Sequence, residues 1–332
     1  MREQKSQTIY FPNLPRVTAS GTVAGPKECA GVVGKYVDLA LDNDMFGEST
    51  YEKAECKMLR YAVDKAMENG GIDENGLDLF ISGDLLNQII SASFAARDYS
   101  VPFLGVYGAC STMAESLALA ALTVDAGHAD NVIAATGSHF SSAERQYRYP
   151  LELGTTRPPQ SQWTVTGAGA TLIRAAQKTQ SRIAVTSATF GKVVDFGITD
   201  VNNMGAAMAP AACDTILAHF RDTGRSSSYY DLVVTGDLGA LGSRILKDLT
   251  WEKGVDLHDN HVDCGEIVYK VIEDEFQGGS GAGCSATVLN SYLFDKMRKR
   301  EISKILFAAT GALLSTVSSG QGESIPCICH AV

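Results

Sequence analysis

The sequence predicts a duplicated α/β fold in which sheets and buried helices stack in layers. Short apolar runs alternate with helical stretches along the 332 residues, as parallel strands with right-handed crossover helices require. Three blocks also return in the same order. Asp78-Leu79-Phe80-Ile81-Ser82-Gly83-Asp84-Leu85 returns as Asp231-Leu232-Val233-Val234-Thr235-Gly236-Asp237-Leu238, Gly108-Ala109-Cys110-Ser111 as Ala282-Gly283-Cys284-Ser285, and Ala134-Ala135-Thr136-Gly137 as Ala308-Ala309-Thr310-Gly311. In each half the middle block opens a helix that is apolar on nearly every side and must therefore be buried. Two similar halves follow, 1–176 and 182–332, with the seam at 177–181 and a site expected between them.

Taken in order, residues 9–17 read as an opening strand and 19–26 as a Gly- and Pro-bearing loop. Residues 50–68 place Ala54, Met58, Tyr61, Ala62 and Ala66 at helical spacing, and Asn69-Gly70-Gly71 ends that amphipathic helix. Residues 77–82 form a short apolar run suited to a strand buried on both faces. A strand at 101–106, the buried helix at 111–126 closed by Gly127, and a strand at 131–136 complete the first half. The second half repeats the scheme: a helix at 211–222, a strand at 231–235, a helix at 285–297 and a strand at 304–309.

The formal charge of −10 disfavours nucleic-acid binding, and 45% hydrophobic with 20% charged residues is ordinary for a globular protein. No run of 18 apolar residues suggests a membrane span, and Met1-Arg2-Glu3-Gln4-Lys5-Ser6 lacks an apolar signal core, so the chain is expected to stay inside its cell. Eight cysteines without regular spacing read as reduced thiols. Neither Cys327-Ile328-Cys329 nor His258-Asp259-Asn260-His261 makes a convincing metal site, the latter reading as a solvated loop. No metal and no cofactor are expected.

Cys110 follows a strand and heads the buried helix, where unpaired N–H groups and the helix dipole would lower a thiol pKa and favour a nucleophile. The alternative, that it only fills a tight turn, stays open. His139 follows a strand end. The run 141–150 carries Arg145 and Arg148 among aromatics and could bind carboxylates through guanidinium forks, or be latched by its own Arg–Glu pairs. Asp84 and Asn87 lie beyond a strand's carboxyl end, where open α/β sheets place ligands. Asp237, the repeat partner of Asp84, suggests a shared structural role such as helix capping. The glycine-rich stretch 278–283 lacks the Lys-Ser/Thr ending of a phosphate loop and suits close backbone approach instead.

Two α/β halves, a cysteine heading a buried helix in the first and glycine-rich loops in the second together resemble the thiolase and 3-ketoacyl synthase superfamily. Within it, Gly83-Asp84-Leu85-Leu86-Asn87-Gln88, Gly108-Ala109-Cys110-Ser111-Thr112, Ala143-Glu144-Arg145-Gln146-Tyr147-Arg148-Tyr149-Pro150, Gly197-Ile198-Thr199-Asp200, Ala207-Met208-Ala209-Pro210-Ala211-Ala212, Thr235-Gly236-Asp237-Leu238 and Glu323-Ser324-Ile325-Pro326-Cys327-Ile328 are similar to the stage V sporulation protein AD family. The resemblance implies a thiolase-like, layered αβαβα fold with two mixed sheets. It further implies a homodimer that binds dipicolinic acid (pyridine-2,6-dicarboxylate), alone or with calcium. Its implied task is uptake of that acid into the developing spore, together with the other products of the stage V sporulation protein A operon. Lacking a membrane span, it would lie in the forespore, held at the inner membrane by integral partners.

The sequence departs from the condensing enzymes of the superfamily. Gly236 stands where the first second-half imidazole would be, and Gly278-Gly279-Ser280 carries no histidine, so the thiol has no evident base from that half. The expected role is therefore binding without catalysis. Its expected ligand residues are Cys110, the N–H groups of Ser111 and Thr112, Arg145 or Arg148, Asn87, His139, Gly279 and, to orient donors or meet calcium, Asp84. The alternative is an acyltransferase or 3-ketoacyl synthase-like enzyme using Cys110 as acyl carrier and His139 as recruited base.

Overall fold

The computed structural model of the chain describes residues 5–148, 151, 156–257, 260–272 and 277–332. Residues 1–4 of the amino-terminal reading, Tyr149 and Pro150 of the arginine-bearing run, and His258 and Asp259 of the two-histidine motif lie outside the described residues.

Among the described residues two six-stranded mixed sheets form the layers. In chain order the first part contributes β1 (Thr8–Tyr10), β2 (Arg16–Ala24), α1 (Pro26–Ala30), β3 (Leu39–Ala40), α2 (Tyr51–Gly70), β4 (Leu79–Gly83), α3 (Ile90–Arg97), β5 (Phe103–Gly105), α4 (Thr112–Asp125), β6 (Asn131–Ser138), α5 (Phe140–Tyr147), β7 (Trp163–Thr164) and β8 (Gly167–Arg174). The second contributes β9 (Ser187–Phe190), α6 (Met204–Thr223), β10 (Leu232–Thr235), α7 (Gly239–Glu252), β11 (His261–Asp263), α8 (Cys264–Tyr269), β12 (Gly279–Ser280), α9 (Ala282–Val288), α10 (Phe294–Arg298), β13 (Ile305–Ala312), α11 (Thr316–Gly320) and β14 (Cys327–Ala331).

The first sheet runs β3-β2-β8-β6-β4-β5 and the second β1-β9-β14-β13-β10-β11. Strand β4 pairs in parallel with β6 and β5, as β10 does with β13 and β11, and the antiparallel pairs β6–β8 and β13–β14 correspond. The duplication read from three short blocks thus extends to strand order and direction. Helices α4 and α9 lie between the sheets, and every residue of α9 is buried. The second-half helix expected at 285–297 is continuous from α9 to α10 through a π-helical segment, Leu289–Leu293.

Several elements differ from the sequence reading. Strand β2 runs through 19–24, expected as a loop, because Gly21 is no turn residue. A Cβ there would strike the Ala62 carbonyl of α2, so the glycine lets the helix lie directly on the strand. Strand β1, read as one piece with β2, crosses into the other sheet and pairs with β9. Helix α6 begins at Met204, seven residues before the expected start, and holds Pro210 within it. His261 is not in a solvated loop: it is buried in β11, with Nε2 bonded to Thr235 Oγ1 at 3.0 Å.

The first residue of each repeated block does one job in both halves. Asp78 Oδ2 accepts the amides of Asp130 and Asn131 at 2.8 and 2.9 Å, tying the starts of β4 and β6 together. Asp231 Oδ2 accepts those of Ser303 and Lys304 at 2.6 and 3.0 Å, doing the same for β10 and β13.

Candidate functional site

Cys110 lies in a single 3-10 turn, Ala109–Ser111, between β5 and α4. Ala109 before it has φ 50, a left-handed conformation that costs a residue with a Cβ about 1 kcal/mol and is kept only where the surroundings enforce it. Here the Ser111 amide and hydroxyl both donate to Gly108 O, at 3.0 and 2.7 Å, and the Thr112 hydroxyl donates to Ala109 O at 2.6 Å. The Thr112 amide also donates to Ala109 O. The donors expected from Ser111 and Thr112 are therefore used within the turn and do not face a ligand.

Cys110 opens onto a narrow cleft between the two halves, with about 50 Å³ of water-sized space. Tyr107 and Tyr147 form one side, their hydroxyls 3.2 Å apart, and the Tyr147 hydroxyl also donates to Leu85 O. Met204 and Met208 of α6, with Ala312 and Leu314, come from the second half. Polar groups enter through Arg148, Thr164 and Ser280.

Of the two arginines, only Arg148 lines the cleft. It is the residue that ends α5, and its side chain is 7% exposed. Its Nη1 donates to Glu144 Oε1 at 2.8 Å and to Gln162 O at 2.9 Å, while Nη2 reaches Ser280 Oγ at 3.2 Å. Arg145 points to the other side of α5 and pairs with Glu52 of α2, half-exposed. The two could not be told apart in sequence because both sit in one polar run, three residues apart, a spacing that a continuing helix would place on one face; Arg148 diverges because it leaves the helix, with φ -120 and ψ -61.

His139 is likewise absent from the cleft. It caps α5, Nδ1 accepting the Ser141 amide at 3.1 Å, which leaves Nε2–H to donate to Asp44 O at 3.0 Å. Both nitrogens are occupied in the neutral ring, and burial lowers its pKa. As a base for Cys110 it is misplaced. Asp84 is also structural: its carboxylate accepts the amides of Leu86 and Ala92, each at 2.7 Å, around the start of α3. Burial raises its pKa to about 6. Asn87 is exposed and bonded to Gln146. Gly279 is buried in β12, its carbonyl accepting Gln162 Nε2 at 2.8 Å.

What meets the thiol instead is Asp237. The expected shared capping role fails, because Asp263 caps α7 through the amides of Leu238 and Gly239. Asp237 accepts the Gly281 amide at 2.9 Å and the Thr310 hydroxyl at 3.4 Å, and its carboxyl faces the Cys110 thiol. Burial raises the carboxyl to about 7, against the pull of the thiol and the Gly281 amide. Burial, then the neighbouring Asp237, pushes the Cys110 thiol well above the usual range. The Gly281 amide, which also faces the sulfur, pulls the other way. Gly281 has φ 99, which a residue with a side chain rarely adopts, and it turns that N–H inward. The sequence did carry a signal for Asp237, a carboxylate just beyond a strand's carboxyl end.

Comparisons with known proteins now bear on the same chain. The family model for stage V sporulation protein AD matches residues 5–332. The chain belongs to the stage V sporulation protein AD family. It is 43% identical over 332 residues to stage V sporulation protein AD of Bacillus subtilis (strain 168), covering all of this chain and 97% of that one. This chain is also similar in structure to OleA of Xanthomonas campestris. A cerulenin-bound OleA structure aligns with a TM-score of 0.59 at 13% identity over 99% of both chains. A variant OleA structure aligns with 0.57 at 14% identity over 100% of both. At that identity the likeness is one of fold, and the fold is thiolase-like. The chain is a sporulation protein on that scaffold, and among its described residues no helix is long and apolar enough to cross a membrane.

Proposed function

We propose that this protein binds dipicolinate without catalysis, in the cleft at Cys110, and serves uptake of that acid into the developing spore. The observation that carries this reading is the pairing of Cys110 with Asp237. Burial together with a carboxyl facing the thiol, and His139 turned away, keeps the sulfur protonated and unsuited to attack. The lining of the cleft suits a flat anion, which must widen it to enter. Tyr107 and Tyr147 on one side and Met204 and Met208 from the other suit an aromatic ring, since sulfur–aromatic contacts are favourable. Arg148 Nη2 and Ser280 offer a carboxylate its donors. Asp237, with its pKa raised to about 7, is about half protonated near neutral pH and repels an anion less than an ordinary carboxylate would. Calcium would arrive with the ligand and meet its carboxylates. Calorimetric titration with dipicolinate tests the reading, and no heat of binding to the wild-type protein overturns it.

The acyltransferase reading has one observation in its favour, the Gly281 amide beside a cysteine sulfur that faces a cleft. Incubation with acyl-CoA followed by mass spectrometry separates the two, because an adduct on Cys110 that forms and turns over belongs to the enzyme alone. The protein is further proposed to be a homodimer joined at β5. That strand is an edge of the first sheet, and Leu104 and Tyr107 are exposed beside it, with Ile90 and Phe94 on the adjoining α3. Its proposed place is the forespore, at the inner membrane, through integral products of the stage V sporulation protein A operon.

A further inference from the structure

We propose a second ligand site, apart from the Cys110 cleft, for a small amphipathic carboxylate with an apolar tail. The Cys110 cleft lies where β10 and β13 end. A different cleft, with about 210 Å³ of water-sized space, lies where they begin, against the 183–186 segment that leads into β9. Its depth is apolar, built from Leu117 of α4, Leu289 and Phe294 of the long second-half helix, and Phe307 of β13. Its rim carries two cations on one ring: Arg225 Cζ stands 4.5 Å and Lys304 Nζ 4.3 Å from the centroid of Tyr229.

Charge complementarity selects the occupant. Neither cation is within salt-bridge distance of a carboxylate among the described residues. Asp231, whose Oδ2 takes the Ser303 and Lys304 amides, feels the Lys304 charge from beyond ion-pair distance, and Val332 O takes the Phe307 amide at 2.9 Å. Arg225 Nη1 donates to the Tyr230 hydroxyl at 3.2 Å, which holds the guanidinium at the rim. A carboxylate between Arg225 and Lys304, with a tail running down toward Leu117 and Phe307, would satisfy both the charge and the apolar wall. In a chain of net charge −10 such a lip would draw an anion that the rest of the surface repels.

The experiment is calorimetric titration of the full chain with decanoate and, as uncharged counterpart, decanol. Decanoate should bind, with decanol and the R225Q/K304Q variant each weaker by about tenfold or more, the worth of a charge-assisted contact. Ala184→Phe, which fills the cleft from the 183–186 segment, should abolish binding while leaving dipicolinate titration unchanged. If that variant does not fold, R225Q/K304Q, altered only at the rim, decides the matter. No decanoate binding, equal affinity for decanol, or loss of decanoate binding in Arg148→Gln, which would place it at Cys110, each overturns the proposal.

Discussion

Asp84 and Asp237 stand at the same place in the repeated blocks, yet one ties down a helix start and the other faces a thiol. Nothing in the two short blocks distinguishes them, because the difference lies in what each half packs against. Arg145 and Arg148 teach the same lesson: residue type was legible, direction was not. Three predictions belong at this scale. Arg148→Gln should weaken dipicolinate binding by about tenfold or more in calorimetry, whereas Arg145→Gln, which breaks an exposed pair with Glu52, should leave it within about twofold. Asp237→Asn removes the charge that raises the Cys110 pKa, so alkylation of Cys110 by iodoacetamide at pH 8 should speed up several-fold. Dipicolinate affinity should be highest below pH 7 and fall as pH rises through about 7, where Asp237 gains a charge that repels the dianion. Asp237→Asn should flatten that profile.

At the scale of elements, legibility followed apolar content. Strands β4 and β6, rich in large or β-branched residues, and the helices α2 and α4 were found close to their observed bounds. Strands β2 and β8 were not. Their small residues and glycines resemble a loop in sequence, but they lie at the middle of the first sheet where α2 and α9 press close. The small residues are there because the neighbours leave no room. Gly21→Ala should therefore destabilise the protein by about 3 kcal/mol, since the new methyl must displace α2 backbone; a thermal melt at unchanged midpoint would refute this account.

For the whole molecule, buried titratable groups set a pH optimum. Glu28 and Asp237 are both raised to about 7 by burial, so the folded chain holds protons that the unfolded chain has released. Stability from these groups is greatest at low pH and falls as pH rises through about 7. His219 and His330, lowered to about 4, and His261, lowered to about 3, act in reverse and penalise the folded chain below their ordinary 6.5. The melting temperature should therefore peak near pH 6 and drop by pH 8, less steeply in Asp237→Asn, as differential scanning calorimetry would show.

Strand β14 sits between β9 and β13, its two partner strands among the described residues, in a sheet whose other members are made earlier in the chain. Until residues 327–331 leave the ribosome, that sheet exists as two unjoined pieces, β1 with β9 and β13 with β10 and β11. The late strand is thus what joins the two pieces into one sheet. A chain without residues 327–331 would have two open sheet edges facing each other and no strand to fill them.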